Sequence, residues 1–167
     1  GLRIGVSVAK GLCFGFGIPL IGMHTLDIMA ATVNSKGDSQ IVSMTDNCLY
    51  CAMLDARRME VYAAIYDASL KSVRGWNSVI VVVGTYASYL EKGKVCFFGN
   101  GASKCKSVIT SPNAIFIEDI HPLAVNMIPL SEQAFAAGKF EDTAYFEPFY
   151  LKEFQATVAK NKVLLAR

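Results

Sequence analysis

The sequence predicts an α/β fold, a mixed β-sheet with helices on its faces. Two strand-like runs, residues 48–55 and 60–67, are joined by a short connection, which indicates an antiparallel hairpin. Helical and strand-like segments then alternate as far as residue 138, the order found in sheets that contain parallel strands. Hydrophobic residues make up 53% of the 167 residues and charged residues 18%, enough apolar side chains for a sizeable buried core.

The first segment, residues 2–16, predicts a helix that other protein covers on nearly every face. Its apolar residues recur at helical spacing in two stripes: Leu2, Val6, Ala9, Cys13 and Phe16, and Ile4, Val8 and Leu12. Only a narrow polar line of Arg3, Ser7 and Lys10 remains. Gly17 and the following Pro19 predict the end of the helix, because neither residue continues it readily.

Three elements are expected around the N-terminal side of the hairpin. They are a short buried strand at 19–23, a helix at 25–31 with Thr25 as its N-cap, and a polar surface loop at 34–39. A boundary between two lobes is expected between that loop and Asn47.

The segments after the hairpin extend the sheet. We expect a third antiparallel strand near 71–78, and the β-branched run 79–83 is typical of a parallel strand covered on both faces. Further helices are expected at 85–91, 102–109 and 121–138, and further strands at 94–98 and 114–117. Pro129 predicts that the last helix kinks or splits near Ile128, because proline removes one helical hydrogen bond.

The cysteines and histidines predict neither a disulfide nor a metal site. Five cysteines, an odd and scattered number, are typical of free thiols packed as small hydrophobes in a reducing cytosol: Cys13, Cys48, Cys51, Cys96 and Cys105. Cys48 and Cys51 match a redox spacing, but on a strand they point to opposite faces. His24 and His121 lie far apart and neither belongs to a metal-binding motif.

Charge and hydropathy exclude two further classes. The longest runs without a charged residue span 16 residues, short of the ~20 that a membrane-spanning helix needs. We therefore expect no membrane segment and a cytoplasmic protein. The formal net charge of +2 is too small for strong direct binding to nucleic acid, which rests on many phosphate contacts.

Four stretches in one order carry a resemblance to a known family. They are the opening GLRIGVSVAKGLCFGFGIPLIGMHTLD at 1–27, LDARRMEVYAA at 54–64, FFGNGA at 97–102 and EPFYLK at 147–152. Together they resemble the signatures of the TsaB family, also called YeaZ, bacterial proteins needed to make threonylcarbamoyladenosine in tRNA. The resemblance covers essentially the whole chain. The family normally begins well before Gly1, with a strand lobe that is missing here.

The resemblance implies a fold and a role. The fold is the RNase H-like fold of the actin and sugar-kinase superfamily, with 1–46 as the trailing part of a truncated first lobe, 47–138 as the second lobe and 139–167 as a tail. The role is that of a non-catalytic scaffold that binds a TsaD-like subunit and, through it, a TsaE-like ATPase. On this view tRNA is reached through the complex, ATP acts at the complex level with no cofactor bound to this chain, and the isolated protein is a homodimer.

The first helix is the expected partner surface. Its small residues permit close helix approach, and the resemblance implies that it packs against TsaD in a four-helix bundle. The residues assigned to this interface are Leu2, Arg3, Gly5, Val6, Ala9, Lys10 and Cys13. An ordinary core helix between lobes is the alternative, and both can hold because there are two apolar stripes.

A second candidate site is a weak nucleotide motif. Gly99, Asn100 and Gly101 follow a strand and open a helix, where backbone N–H groups can hold phosphate or adenosine, although a tight turn also needs glycine. Asp55 ends the first hairpin strand, where active superfamily members carry a carboxylate, but Arg57 and Arg58 can instead neutralise it. These residues leave open an alternative, a glycoprotease-like or nucleotide-binding enzyme. No residue is assigned a catalytic role, since no acid and base pair or activated nucleophile is evident.

Overall fold

The computed structural model of the chain describes residues 1–35 and 48–152. Its helices are α1 Leu2–Phe16, α2 Thr25–Ser35, α3 Ala87–Leu90 and α4 Ile128–Ala136, with 3-10 helices at Ser103–Ser107 and Ala124–Met127. Its strands are β1 Leu49–Asp55, β2 Glu60–Tyr66, β3 Ser72–Ile80, β4 Val95–Phe98 and β5 Ala114–Ile117. The expected lobe boundary near residue 46, most of the loop at 34–39 and the end of the tail lie outside the described residues.

The five strands form one mixed sheet in the order β3-β2-β1-β4-β5. The strands β1, β2 and β3 pair in the antiparallel sense, whereas β4 pairs parallel with both β1 and β5. The predicted hairpin, its third strand and the two later strands are confirmed. The α/β class is confirmed with them.

Alternation along β1 supplies a core on each face of the sheet. Cys51 and Met53 belong to one cluster, which α3 and the 3-10 helix Ser103–Ser107 help to cover. Tyr50 and Ala52 point to the other face, where α2 packs against them. A strand that is buried on both faces reads as a nearly continuous apolar run, as 49–54 does.

The expectation of a parallel strand at 79–83 is wrong. Val79 and Ile80 complete β3, the antiparallel edge strand, and the chain then turns after Val81, whose N–H donates to the carbonyl of Met59 at 2.7 Å. Val82 and Val83 are exposed. β-Branched residues favour extended backbone, but their propensity carries no information about whether the strand lies at the centre or the edge of a sheet.

The strand expected at 19–23 is also wrong. This segment makes one isolated bridge, in which Glu141 donates its N–H to the carbonyl of Leu20 at 2.8 Å. Gly17 adopts a left-handed conformation with φ 64° and ends α1 as predicted. Leu20 is nevertheless buried. The apolar pattern therefore predicted burial correctly but not strand pairing.

The remaining helices lie where the sequence predicted them, but their lengths differ from the predicted lengths. Helix α2 begins at Thr25, so Thr25 is not its cap; the carbonyl of His24 instead accepts hydrogen bonds from Asp27 and Ile28. The helices expected at 85–91 and 102–109 shrink to α3 and to a 3-10 helix. The predicted split near Ile128 is confirmed, because a 3-10 helix ends there and α4 begins. No helix of residues 1–35 and 48–152 is long and apolar enough to cross a membrane.

We expect Phe97→Ala to reduce the free energy of unfolding by about 3–5 kcal/mol, because it removes a large core side chain and leaves a cavity. Phe97 is 0% exposed, and its ring lies 5.4 Å from Phe116 and 5.2 Å from Tyr86. Urea unfolding measures the change. Phe14→Ala is the control: its side chain is 86% exposed, so a loss above about 0.5 kcal/mol there, or an equal loss in both variants, contradicts the assignment of the core.

Candidate functional site

One side of α1 packs against residues 141–150 of the same chain. Lys10 donates from Nζ to the carbonyl oxygens of Ala144 and Phe146, both at 3.0 Å. Arg3 donates from Nε to the hydroxyl of Tyr150 at 3.1 Å. The polar line predicted from the sequence therefore fastens α1 to its own chain. Between the helix and this segment lies a cleft of about 350 Å³, lined on the helix side by residues that include Val6 and Ala9.

The other side of α1 carries the second apolar stripe and is open. Ile4, Val8 and Leu12 are 71%, 57% and 52% exposed. No residue of α1 is buried, and a Cβ added at Gly5 or Gly11 would meet no described atom within 4 Å. The helix expected to be covered on nearly every face is thus covered on one side by the described part of the chain.

This arrangement divides the residues assigned to a partner interface. Arg3 and Lys10 are engaged within the chain, and Val6, Ala9 and Cys13 are half-buried beside them. Leu2 and Gly5 are exposed. The assignment of these residues to an interface stays a prediction, and the stripe of Ile4, Val8 and Leu12 is the apolar surface that the prediction left out.

Asp55 lies at the end of β1 and is held by its neighbours. Its carboxylate forms an ion pair with Lys104, whose Nζ also donates to the carbonyl of Glu60 at 2.6 Å. The N–H of Arg57 donates to Oδ1 of Asp55 at 3.1 Å. The side chain of Lys104, followed by this N–H, holds the pKa of Asp55 below its usual value. The expected neutralisation by arginine side chains is corrected to an ion pair with Lys104, which the 3-10 helix Ser103–Ser107 carries.

The turn between β4 and that 3-10 helix needs glycine for close packing. Gly99 has φ 96°, and a Cβ there would lie 2.1 Å from Cε of Met29 and 2.4 Å from the carbonyl oxygen of Met53. A Cβ at Gly101 would lie 2.8 Å from the carbonyl carbon of Leu54. These contacts favour the tight-turn interpretation of the Gly-Asn-Gly motif.

Two backbone donors of this turn are also engaged. Gly101 donates its N–H to Met53 at 3.1 Å, and Ala102 donates to Gly99 at 3.0 Å. The side chain of Asn100 accepts the N–H of Asp55 at 3.0 Å. The structure brings Asp55, Gly99, Asn100 and Gly101 together, but it uses their polar groups to join the turn to β1. Nucleotide binding by these residues stays a prediction.

An aromatic cluster beside α1 was not predicted. The imidazole of His24 stacks on Trp76 with ring centroids 3.5 Å apart, and Phe149 meets both rings edge-on. The carboxylate of Asp27 accepts hydrogen bonds from Nε1 of Trp76 at 2.8 Å and from the hydroxyl of Tyr66 at 2.5 Å. His24 is thus a packing residue. No sequence pattern links residues so far apart.

The histidines do not share a site. His121 lies before the 3-10 helix Ala124–Met127, and its carbonyl accepts the hydroxyl of Thr32 at 3.3 Å. Within residues 1–35 and 48–152, no three side chains of the metal-binding types form a group that could hold an ion. The absence of a metal site in the whole protein stays a prediction.

A five-stranded mixed sheet in this order, with helices on both faces, defines an α/β protein of the RNase H-like fold, which two solved structures share. Residues 1–160 match the family model described as "TsaD: tRNA N6-adenosine threonylcarbamoyltransferase", and the chain belongs to this family. Within it the chain is similar to TsaB and YeaZ proteins, so the resemblance found in the sequence is confirmed.

One curated protein is similar to the chain in sequence, and two solved structures share its fold. The chain is 28% identical over 159 residues to the tRNA threonylcarbamoyladenosine biosynthesis protein TsaB of Escherichia coli (strain K12), covering 91% of this chain and 65% of that protein. Two structures from Pseudomonas aeruginosa, each 22% identical, share the fold. One is an uncharacterized protein with similarity to peptidase YEAZ, with a TM-score of 0.72 over 91% of this chain and 68% of that one. The other, YeaZ, has a TM-score of 0.69 over 90% and 68%.

We expect Gly99→Ala to lower the free energy of unfolding by about 2–4 kcal/mol, because an added Cβ strains the backbone and collides with Met29 and Met53. Denaturant unfolding measures this change. Gly75→Ala is the matched control in the same sheet, since a Cβ at Gly75 would meet no described atom within 4 Å. An equal loss of stability in both variants would contradict the packing role of Gly99.

Lys104→Gln should raise the pKa of Asp55 toward its ordinary value of 3.8, because the ion pair that favours the carboxylate is lost. When folding lowers the pKa of a carboxyl group, that group stabilises the folded protein at pH values above its unfolded pKa. The stabilisation is lost as the pH falls through the folded-state pKa. The variant should therefore lose less stability than the parent below about pH 4. Carboxyl ¹³C NMR measures the pKa directly.

The control for this titration is Lys106→Gln. Lys106 lies two residues further along and pairs with Glu118 at 2.7 Å, so its removal leaves the Asp55 pair intact. A pKa of Asp55 that rises equally in both variants would show that general charge, not the direct pair, sets its value.

Proposed function

We propose that this chain is a non-catalytic subunit of the machinery that makes threonylcarbamoyladenosine in tRNA, and that it acts by binding a TsaD-like subunit through α1. The observation that carries the proposal is the exposed apolar stripe of Ile4, Val8 and Leu12 on a helix that the rest of the chain holds in place. The family to which the chain belongs, and its E. coli relative, support the pathway. Because the chain spans 65% of that relative's length, the activity and partners of the whole protein are part of the proposal.

The physical basis is burial of apolar surface. A helix face that exposes three aliphatic side chains in a row gains free energy when a partner covers it, at roughly 25 cal/mol per Å² of apolar surface buried. Gly11 and Gly5, the second of which also lines the edge of the cleft beside residues 141–150, add no side chain that would hold the backbone of a second helix away. A helix pair from the partner fits such a surface better than a loop does.

The remaining parts of the proposal follow from this surface. In isolation a second copy of the chain takes the partner's place, which gives a homodimer. The TsaE-like ATPase and tRNA are reached through the TsaD-like subunit, in agreement with the small net charge of +2. We also propose the division into 1–46, 47–138 and 139–167, and a cytoplasmic location.

The contacts of Asp55 and of the turn after β4 favour a scaffold role over an enzymatic role. The carboxylate of Asp55 is paired with Lys104, the N–H of Gly101 donates to the carbonyl of Met53 on β1, and the N–H of Ala102 donates to the carbonyl of Gly99. A phosphate group would have to displace these contacts. The glycoprotease-like or nucleotide-binding alternative therefore has less support than the helix surface.

We expect Gly5→Arg in the full-length protein to weaken binding to the TsaD-like subunit by on the order of 100-fold, because a long charged side chain would be buried without a partner. The monomer has room for the arginine, since no described atom lies within 4 Å of a Cβ at Gly5, and glycine is a poor helix former. Isothermal titration calorimetry with the TsaD-like subunit of the same genome measures the affinity.

Gly75→Arg on β3 is the matched control, because it introduces the same side chain into equally open space on a different element. Comparable losses of affinity in the two variants would count against α1 as the interface. Unchanged affinity in Gly5→Arg would sink the proposal, provided circular dichroism shows both variants folded.

Asp55→Ala should leave most of the complex formation and most of the tRNA modification intact, because the carboxylate serves the turn in this proposal. A reconstituted modification assay, run beside the calorimetry, gives both readouts. If modification stopped while the complex still assembled, Asp55 would have a catalytic or nucleotide-binding role, and the scaffold interpretation would be wrong.

A further inference from the structure

Two buried cysteines that lie far apart in the sequence meet on one face of the sheet. Cys48 immediately precedes β1 and Cys96 is the second residue of β4. Their side chains are buried, at 3% and 2% exposure, and their Sγ atoms lie 2.8 Å apart. This distance is shorter than an ordinary contact between two unbonded sulfur atoms. It is about 0.8 Å longer than the S–S bond of a disulfide.

The parallel register of β1 and β4 produces this contact. Tyr50 is the neighbour of Cys96 across the two strands, and Leu49 donates its N–H to the carbonyl of Lys94 at 3.0 Å. Cys48 lies two residues before Tyr50, so its side chain is on the same face as that of Cys96. Both thiols belong to the core cluster that α2 covers.

The other cysteines are not placed to compete. Cys51 and Cys105 belong to the cluster on the opposite face of the sheet, and Cys13 lies on α1. The Cys-x-x-Cys spacing of Cys48 and Cys51 is therefore not a pair in space, as the sequence predicted. The thiol of Cys48 instead shares a hydrogen bond with the thiol of Cys96.

The two thiols are chemically unequal. The hydrogen bond from the Cys96 thiol lowers the pKa of Cys48 against the opposing effect of burial, and the backbone N–H of Cys96 and the ammonium of Lys94 contribute less in the same direction. The pKa of Cys96 is raised, first by the same hydrogen bond and then by burial. The hydrogen bond between the two thiols thus favours the thiolate of Cys48 over that of Cys96.

We propose that Cys48 and Cys96 are a modification site, a thiol pair that a hydroperoxide converts into a disulfide joining the start of β1 to β4. The Cys48 thiol loses its proton, its thiolate attacks one peroxide oxygen, and the O–O bond breaks. The departing oxygen takes up that proton and leaves as an alcohol or water, and Cys48 becomes a sulfenic acid. The sulfur of Cys96 then attacks the sulfur of Cys48 and the S–O bond breaks. The hydroxyl group leaves as water with the proton of the Cys96 thiol. The two thiols lose two electrons and the peroxide gains them.

The site takes an oxidant and not a metal ion. An ion held between two thiolates at about 2.3 Å from each sulfur needs the sulfurs to lie well beyond 2.8 Å from each other. The disulfide, by contrast, closes a chain segment that includes β1, β2 and β3 and restricts the unfolded chain. All five cysteines are free thiols in the structure, as the sequence predicted, so the proposal concerns oxidising conditions alone. It does not depend on the partner of α1.

The test is oxidation of the full chain with hydrogen peroxide, followed by counting of free thiols in denaturant and non-reducing peptide mass spectrometry. The expected product has two fewer thiols and one linked peptide pair that contains Cys48 and Cys96. Its midpoint of thermal unfolding should rise by roughly 5–15 °C over the reduced protein. A reductant should restore both the thiols and the lower midpoint.

Three variants make the result specific. Cys48→Ala and Cys96→Ala should each abolish the peroxide-dependent rise, and Cys105→Ala, which removes an equally buried thiol from the other face, should retain it. The readout is the difference between oxidised and reduced forms of the same variant, so a general loss of stability does not obscure it. Five intact thiols after oxidation, a disulfide between any other pair, or a terminal sulfinic acid at Cys48 with Cys96 free would each overturn the proposal.

Discussion

Strand β1 is hydrogen-bonded along both edges, to β2 in the antiparallel sense and to β4 in the parallel sense. The first pairing is local, since a short connection separates β1 from β2. The second joins the three-stranded meander to the later part of the chain and so makes one sheet with two faces. Because β1 contributes side chains to both core clusters, it fixes where α2 packs on one side and where α3 packs on the other.

The same pairing determines the polar chemistry of the sheet. It places the turn after β4 directly on the end of β1, so closely that Gly99 and Gly101 have no room for a side chain. The 3-10 helix that follows brings Lys104 onto Asp55. At the opposite end of the two strands it brings the thiol of Cys96 to Cys48. One ladder therefore positions an ion pair at one end and a pair of thiols at the other.

Local signals in the sequence predicted most of the sheet. The hairpin and the strands at 94–98 and 114–117 could be predicted because apolar runs bounded by turn residues need no knowledge of distant partners. The prediction for the run 79–83 was wrong because local composition indicates only extended backbone. The exposure of this run depends on the position of β3 at the edge of the sheet, which local composition does not report. The resemblance to a family implied the RNase H-like fold, which the spacing of apolar residues alone did not.

The candidate sites were harder to predict because they join residues distant in the sequence. Cys48 meets Cys96 across 48 positions, and Asp55 meets Lys104 across 49. Such pairs follow from the register of a parallel ladder, and no short motif encodes that register. The division of α1 into a bound side and an open side was likewise beyond the sequence, because both stripes are apolar and only the position of residues 141–150 distinguishes them.

The contacts that fasten α1 to the rest of the protein span 134 to 147 positions of the chain. During synthesis the helix therefore leaves the ribosome long before the segment that packs against it. At 5–20 residues per second, the interval is roughly 7–30 seconds. Throughout that interval the side of α1 that residues 141–150 will cover lacks its partner, so the order of translation delays the packing of this helix until the end of the chain is made.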